Sequence, residues 1–328
     1  LTREAEGVNR REFIRRAAKA GAAALAAGAV GLAAHDPHGP DPAAGAAPAE
    51  RLRDFSVPAA GRKMAIARGA ERAVTLDRAL KAIGGIEAFI RPGDRVVIKV
   101  NAAFASPPSL GATTHPLVVS GLVRLCRGAG ASAVIVTDNP INDPATCFAL
   151  TGIGAAAREA GAEVVLPAES QFRPLSLPGG RLIRDWPVLA GPLDRATKLI
   201  GVAPVKDHHR SGASMTLKNW YGLLGGRRNI FHQDVHAIIA ELALLAKPTL
   251  VVLDGTVTMM TNGPTGGSLA DLKETGMLIA GTDPVAVDAC GASLLGRAPD
   301  ELPFLGQAAA AGAGTLDFRA LNPVEVPA

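Results

Sequence analysis

The sequence predicts an α/β fold: a mostly parallel sheet with helices on both faces and a small β excursion. Three observations lead there. Strand-like and helix-like segments alternate after residue 50, which implies βαβ units and a mostly parallel sheet. The strand-like segments Val96-Val97-Ile98 and Thr249–Leu253 show no polar alternation, as expected of strands covered on both faces. Residues 167–195 interrupt the alternation with Pro167, Pro174, Pro178, Pro187, Pro192 and the turn pair Gly179-Gly180. That composition reads as a short set of hairpins.

The elements follow in chain order. Lys63–Ala67 and Arg95–Val100 are strands. Between them Thr75–Ile90 places Leu76, Leu80, Ile83 and Ile86 at helical spacing. Pro116–Gly128 is a helix with Leu117, Val118, Leu122 and Leu125 inward; Pro116 suits the first helical position, where its missing N–H is no loss. Ser132–Thr137 is a buried strand, Thr151–Ala160 a helix and Glu163–Leu166 a strand. After the excursion come the strand Lys198–Val202, the long helix Asn229–Ala246 and the strand Thr249–Leu253. Gly276–Ala280 then forms a strand and Pro284–Leu295 a helix. No internal repeat or strong linker divides residues 50–328, so they are expected to form one domain.

Residues 1–49 read differently. Residues 9–15, Asn-Arg-Arg-Glu-Phe-Ile-Arg, match a twin-arginine export consensus. An Ala/Gly/Leu/Val run over 20–34 follows. It is shorter than the roughly 20 residues a membrane-spanning helix needs. Ala44-Gly45-Ala46 and Ala47-Pro48-Ala49 offer A-x-A cleavage sites. The expectation is a twin-arginine signal peptide with a disordered c-region over 1–49. A periplasmic location follows, with the export machinery as partner and no stable membrane anchor after cleavage.

Composition narrows the function. Of 328 residues, 48% are hydrophobic and only 4% aromatic, so Ala, Val, Leu and Ile must fill the core. Net charge is +4, and no basic block appears after Lys19. That balance argues against nucleic acid as a partner and leaves room for small anions. The three cysteines, Cys126, Cys147 and Cys290, form neither an iron–sulfur nor a zinc spacing. No intrinsic iron–sulfur cluster is expected; a metal ion or an organic cofactor stays open. Cys126 and Cys290 sit in apolar frames and read as core residues.

In parallel sheets the chemistry gathers at the carboxyl ends of the strands. There the sequence places Lys99 and Asn101, Asp138 and Asn139, Pro204 to His209, and Asp254. Five of the seven histidines fall after residue 50: His115, His208, His209, His232 and His236. None lies within an apolar strand. His232 and His236, four apart in the expected helix, share a face. His208, His232 and His236 are the candidate metal ligands. Imidazole also suits proton transfer near neutral pH. Thr113-Thr114-His115-Pro116 presents hydroxyls and free N–H groups at a helix start, a site for phosphate or carboxylate. Asn262–Gly267 is a Gly-rich loop without the Gly-Lys-Ser/Thr of a Walker motif, and a plain turn explains it better than an anion cradle does. Lys206, Arg210 and Lys218 lie near the histidines in sequence; lysines among other cations act as bases or nucleophiles.

These segments together resemble the DUF362 family, whose reaction is unknown. The carriers are Lys99-Val100-Asn101, Thr113-Thr114-His115-Pro116, Asp138, Lys206-Asp207-His208 and Lys218-Asn219-Trp220-Tyr221-Gly222. His232, Leu253-Asp254-Gly255, Gly263-Pro264 and Gly281-Thr282-Asp283-Pro284-Val285-Ala286-Val287-Asp288 complete them, over roughly residues 90–297. Many relatives carry ferredoxin-type cysteine runs, which this chain lacks. A weaker similarity to the lactate racemase family keeps an organometallic cofactor in view.

Three function classes follow. The first is an enzyme acting on a small anionic substrate or cofactor. His115, His208 and Lys218 would be its catalytic groups, and Lys99, Asn101, Thr114, Lys206, Asn219 and Asp254 its ligand-binding groups. The second is a periplasmic metal- or cofactor-binding protein without turnover. The third is an accessory protein for another exported enzyme, weakened by the scarcity of aromatic anchors. The enzyme reading expects His115, His208 and Lys218 to line one pocket, with His232 approaching it, His236 either behind it or facing solvent, and Asp254 and Asp283 near the rim.

Overall fold

A computed structural model describes residues 51–328, together with Arg11, Ile14, Arg15, Ala18 and Lys19, which are helical. The remainder of the expected export segment, with Arg10, the apolar run 20–34 and the cleavage sites, lies outside the described residues.

The protein is a mixed α/β fold around a mostly parallel central sheet. Its strands are β1 (Met64–Arg68), β2 (Arg95–Lys99), β3 (Ala133–Thr137), β4 (Glu163–Val165), β7 (Lys198–His208), β9 (Leu250–Met259), β10 (Leu272–Gly281) and β11 (Val324–Val326). They lie in the order β11-β1-β10-β9-β7-β2-β3-β4. The run β9-β7-β2-β3-β4 is parallel throughout. β10 runs antiparallel to both β9 and β1. β5 (Phe172–Leu175) and β6 (Trp186–Leu189) pair only with each other, as an antiparallel hairpin within the proline-rich stretch. β8 (Gly212–Ser214) folds back on the end of β7.

Helices cover both faces. The described ones are α1 (Arg72–Ala82), α2 (Pro116–Gly128), α3 (Pro144–Leu150), α4 (Ile153–Glu159), α5 (Thr216–Asn219), α6 (Val235–Leu245), α7 (Pro284–Ala292) and α8 (Pro303–Ala310). None is long and apolar enough to cross a membrane. Val96 and Ile98 pack with Leu76, Leu80 and Leu122 from α1 and α2, whereas Val97 packs with Leu217, Ile238 and Val287 from α5, α6 and α7. This two-sided burial explains the missing polar alternation. Each such aliphatic side chain contributes about 1.5–3 kcal/mol on burial. In α2 the inward positions are Val118, Val119, Leu122 and Val123, and Leu117 points to solvent.

Several boundaries differ from the sequence expectation. The helix expected over 75–90 is α1 followed by a separate 3-10 turn at Ile86–Ala88, because Gly84 and Gly85 both take positive φ. The helix expected over 229–246 is a 3-10 segment, Arg228–Asp234, followed by α6; Asp234, at φ −136° and ψ 55°, separates them. β7 extends six residues beyond Val202, to His208. The short elements α8 and β11 carried no distinct signal.

Candidate functional site

The overhang of β7 creates the site. Its pairing with β2 stops at Lys99–Gly201, so Lys206 and His208 are carried past the end of β2 while still paired with β9 and β8. β2 delivers Lys99 to this end, and Asp138 follows β3. α5 supplies Lys218 and Asn219 and is anchored by Asp288 of α7. The fully buried Asp288 carboxyl accepts from Thr216 N (2.9 Å), Thr216 Oγ1 (2.6 Å) and Leu217 N (2.9 Å). Trp220 packs beside Gly201, where a Cβ would overlap the indole. The 3-10 turns after α5 bring in Tyr221, Arg228 and His232. The Gly-rich loop closes one side: Gly263 N donates to Asp207 Oδ2 (3.1 Å), and the His209 ring donates from Nδ1 to Gly263 O (3.3 Å). A cavity of about 480 Å³ results, lined by the lysines, Asp138, Asn219, Tyr221, Arg228, His208, His209, His232 and the Gly-rich loop, with Asn101, Phe104 and Ile141. That volume suits a small organic ligand.

The cavity is strongly cationic. Lys99, Lys206, Lys218 and Arg228 line it, against the single carboxylate of Asp138. Lys99 is saturated: its Nζ meets Asp138 Oδ1 (2.6 Å), Asn219 Oδ1 (2.8 Å) and Val100 O (2.8 Å). Burial lowers its pKa and Asp138 draws it back up. Arg228 donates to the carbonyls of Asn139 (2.9 Å), Pro140 (2.8 Å) and Leu224 (3.1 Å), which satisfy its N–H groups and leave its charge uncancelled. Lys206 donates to Ala112 O (2.6 Å) and lies over the Phe104 ring. Burial, then the charge of Lys218, pushes its pKa down to about 7. Lys218 has no hydrogen-bond acceptor among the described residues and rests over the Tyr221 ring, 4.8 Å from its centre. Burial, then Arg228 and Lys99, pushes it down to about 8. Asn101 Oδ1 is also buried without a donor. Buried polar atoms normally find partners, and this one has none among the described residues.

The histidines take complementary tautomers. His208 Nδ1 accepts from the backbone N–H groups of Arg210 (3.2 Å) and Ser211 (3.3 Å), so its proton sits on Nε2. Burial, then Lys218, pushes its pKa down to about 2. It is a neutral hydrogen-bond donor near neutral pH. His232 Nδ1 lies 3.2 Å from Asn229 O, which can only accept, so Nδ1 carries the proton and Nε2 keeps a lone pair. Burial, then Lys218, keeps this ring neutral too. Tyr221 donates to Arg228 O (2.5 Å) and stands 3.2 Å from His232 Nδ1. Burial raises the Tyr221 phenol to about 12.

Of the sequence-predicted residues, the structure gathers Lys99, Asn101, Lys206, His208, Lys218, Asn219 and His232 around one cavity. Five others lie elsewhere. His115 does not join His208 and Lys218: its Nδ1 caps its own helix by accepting from Leu117 N (3.2 Å), beside Arg72 and Asp254. Burial, then Arg72, lowers its pKa to about 4. Asp254 alternates with Leu253 and so faces the α1–α2 side, where Arg72 Nε pairs with it at 3.0 Å. Thr114 ties the sheet edge, its Oγ1 accepting from Asn101 N (2.8 Å) and donating to Val202 O (3.1 Å). His236 stacks on Phe304 of α8, away from His232, because Asp234 breaks the shared helix face. The expected metal set of His208, His232 and His236 therefore does not converge, and no group of three His, Cys, Asp or Glu among the described residues could hold a metal ion. Asp283 follows β10; because β10 is antiparallel, this puts Asp283 at the opposite end of the sheet, where it caps α7 and pairs with Arg62. The cysteines do not form a cluster ligand set: Cys126 and Cys290 lie in the cores on opposite faces, and burial pushes their thiols up to about 12 and 11.

Sequence reasoning missed Tyr221, Phe104 and Arg228 as cavity residues. Tyr221 lay inside the Lys218–Gly222 motif, whereas nothing distinguished Arg228 from Arg227. The motif's glycine has a geometric cause: a Cβ on Gly222 would overlap Asp138 Oδ1 and Lys99 Nζ. Gly222→Ala is expected to lose about 1–3 kcal/mol of stability, as overpacking does. Urea unfolding checks this, and an unchanged midpoint would refute the close approach.

Comparisons with known proteins place the chain in context. The model of a family described as a domain of unknown function, DUF362, matches residues 96–293. A thylakoid-associated protein of Synechocystis sp. is 27% identical over 244 residues, spanning 69% of this chain and 70% of that protein. Among solved structures, the lactate racemase apoprotein of Thermoanaerobacterium thermosaccharolyticum aligns with a TM-score of 0.37 and 14% identity over 75% of this chain and 61% of that one. A Thermotoga maritima protein aligns with a TM-score of 0.35 and 12% identity, over 71% and 60%. The chain thus spans about three fifths of the length of these two solved proteins.

Proposed function

Because the chain belongs to the DUF362 family, whose description assigns no function, we propose one from the cavity itself: an enzyme that binds a small organic anion and moves a proton on it. The observation that carries this reading is three buried lysines and the half-buried Arg228 facing, among the described residues, the one carboxylate of Asp138. Buried charge without a counter-charge is unfavourable, so an incoming carboxylate or phosphate gains what the protein leaves unpaired. Lys206 and Lys218 would hold the anion. His208 would donate from Nε2 to a developing oxyanion, and His232 would accept a proton at Nε2.

The test is anion binding against pH. Below pH 7 both lysines are charged before the ligand arrives. Above pH 8 they are increasingly neutral, and an anion must bring protons with it. Affinity for 2-oxobutanoate, butanoate or inorganic phosphate, read by calorimetry, is expected to fall as pH rises from 7 to 9. Proton uptake should appear as a buffer-dependent heat. Affinity that is flat or rising across this window would sink the reading.

We also propose twin-arginine export to the periplasm, supported by the Arg10-Arg11 consensus and the mildly apolar run behind it. Replacing both arginines with lysine is expected to retain the protein in the cytoplasm. Normal periplasmic amounts of the double variant would contradict this.

A further inference from the structure

We propose that Lys218 is a nucleophilic amine, and that the cavity's ligand carries a ketone or aldehyde beside its acid group, so that the two condense to an imine. This rests on the anion-binding reading above. The three cavity lysines are not equivalent. Lys99 is held by three acceptors and Lys206 by the Ala112 carbonyl. Lys218 alone has no acceptor among the described residues, and its ammonium lies over the Tyr221 ring. The ring face attracts the ammonium through its quadrupole but, unlike the carboxylate and carbonyls around Lys99 and Lys206, offers no acceptor lone pair that ties up its protons. Lys99 and Arg228 nearby disfavour a further positive charge, and with burial they bring Lys218 to about 8. A usable fraction is therefore free amine near neutral pH, the condition for a lysine nucleophile.

The step balances with groups on hand. The Nζ lone pair attacks the carbonyl carbon, and the π pair moves to oxygen. Nitrogen loses one proton and oxygen gains one, with His232 Nε2 as the carrier. A second proton, from the Lys206 ammonium, lets that oxygen leave as water while the nitrogen lone pair forms the C=N bond. The product is a protonated imine whose N–H is a new donor. Asn101 Oδ1, buried in the same cavity without a donor, is an acceptor suited to it.

The full chain would be incubated with 2-oxobutanoate and cyanoborohydride, then read by intact mass and peptide mapping. The expected result is one reduced adduct on Lys218, absent with butanoate. Lys218→Arg keeps the positive charge and removes the nucleophile. It should form no adduct at residue 218, and an undiminished adduct elsewhere in this variant would overturn the proposal. An adduct confined to Lys206 or to exposed lysines such as Lys247 would overturn the proposal. So would binding without any adduct in the unaltered protein, which leaves the anion site standing. Failure of every acid to bind would overturn the anion reading and this one with it.

Discussion

Lys206→Met is expected to make the protein more stable and a poorer binder at once. Lys206 is 1% exposed, and among the described residues its ammonium has one acceptor, the Ala112 carbonyl. Among the described residues the cavity's one carboxylate, Asp138, is paired directly with Lys99 and reaches Lys206 only through space. Methionine is close in volume and carries no charge. Replacing buried ionic groups with well-packed apolar ones of similar volume can stabilise by about 1–4 kcal/mol, and a gain in that range is expected in urea unfolding. Losing a charge-assisted hydrogen bond to a ligand removes about 1.5–3 kcal/mol, or roughly 10- to 100-fold in affinity. Calorimetry with 2-oxobutanoate or phosphate at pH 7 reads the second effect. Stability and binding moving in opposite directions is the signature of a functional residue kept against the fold's interest. A variant that loses stability would instead make Lys206 a structural group.

Asp138→Asn is expected to have the larger structural effect. The carboxylate meets Lys99 Nζ at 2.6 Å, with both side chains nearly inaccessible. It also accepts from Ala102 N (2.7 Å) and Asn139 N (2.9 Å), so it ties the ends of β2 and β3 together. Asparagine keeps the size and removes the charge, leaving Lys99 buried among cations. Removing one partner of a buried pair loses about 3–5 kcal/mol. Adding Lys99→Met to Asp138→Asn should recover much of that loss, and the double-mutant cycle isolates the coupling. If the single variant unfolds like the parent, the ion pair does not support the site.

The sequence by itself determined the layered α/β architecture, because hydrophobic period and strand–helix alternation are local signals that burial on two faces imposes. It also marked Lys99, Lys206, His208, Lys218 and His232, since parallel strands bring distant termini to one edge. It misplaced His115, Thr114, Asp254 and Asp283 as site residues and His236 as a metal ligand, each for a reason outside local pattern. Asp254 depends on which face its strand position presents, and a one-residue alternation decides between the cavity and Arg72. His115 turns back to cap its own helix. His236 depends on Asp234 breaking a helix that apolar spacing alone would continue. Asp283 depends on β10 running antiparallel, which moves its end to the far side of the sheet. The overhang of β7 and the resting place of Lys218 on Tyr221 were likewise decided only by tertiary packing. Strand direction, facing and side-chain pairing come from contacts between segments far apart in the chain, and no window of neighbouring residues encodes them.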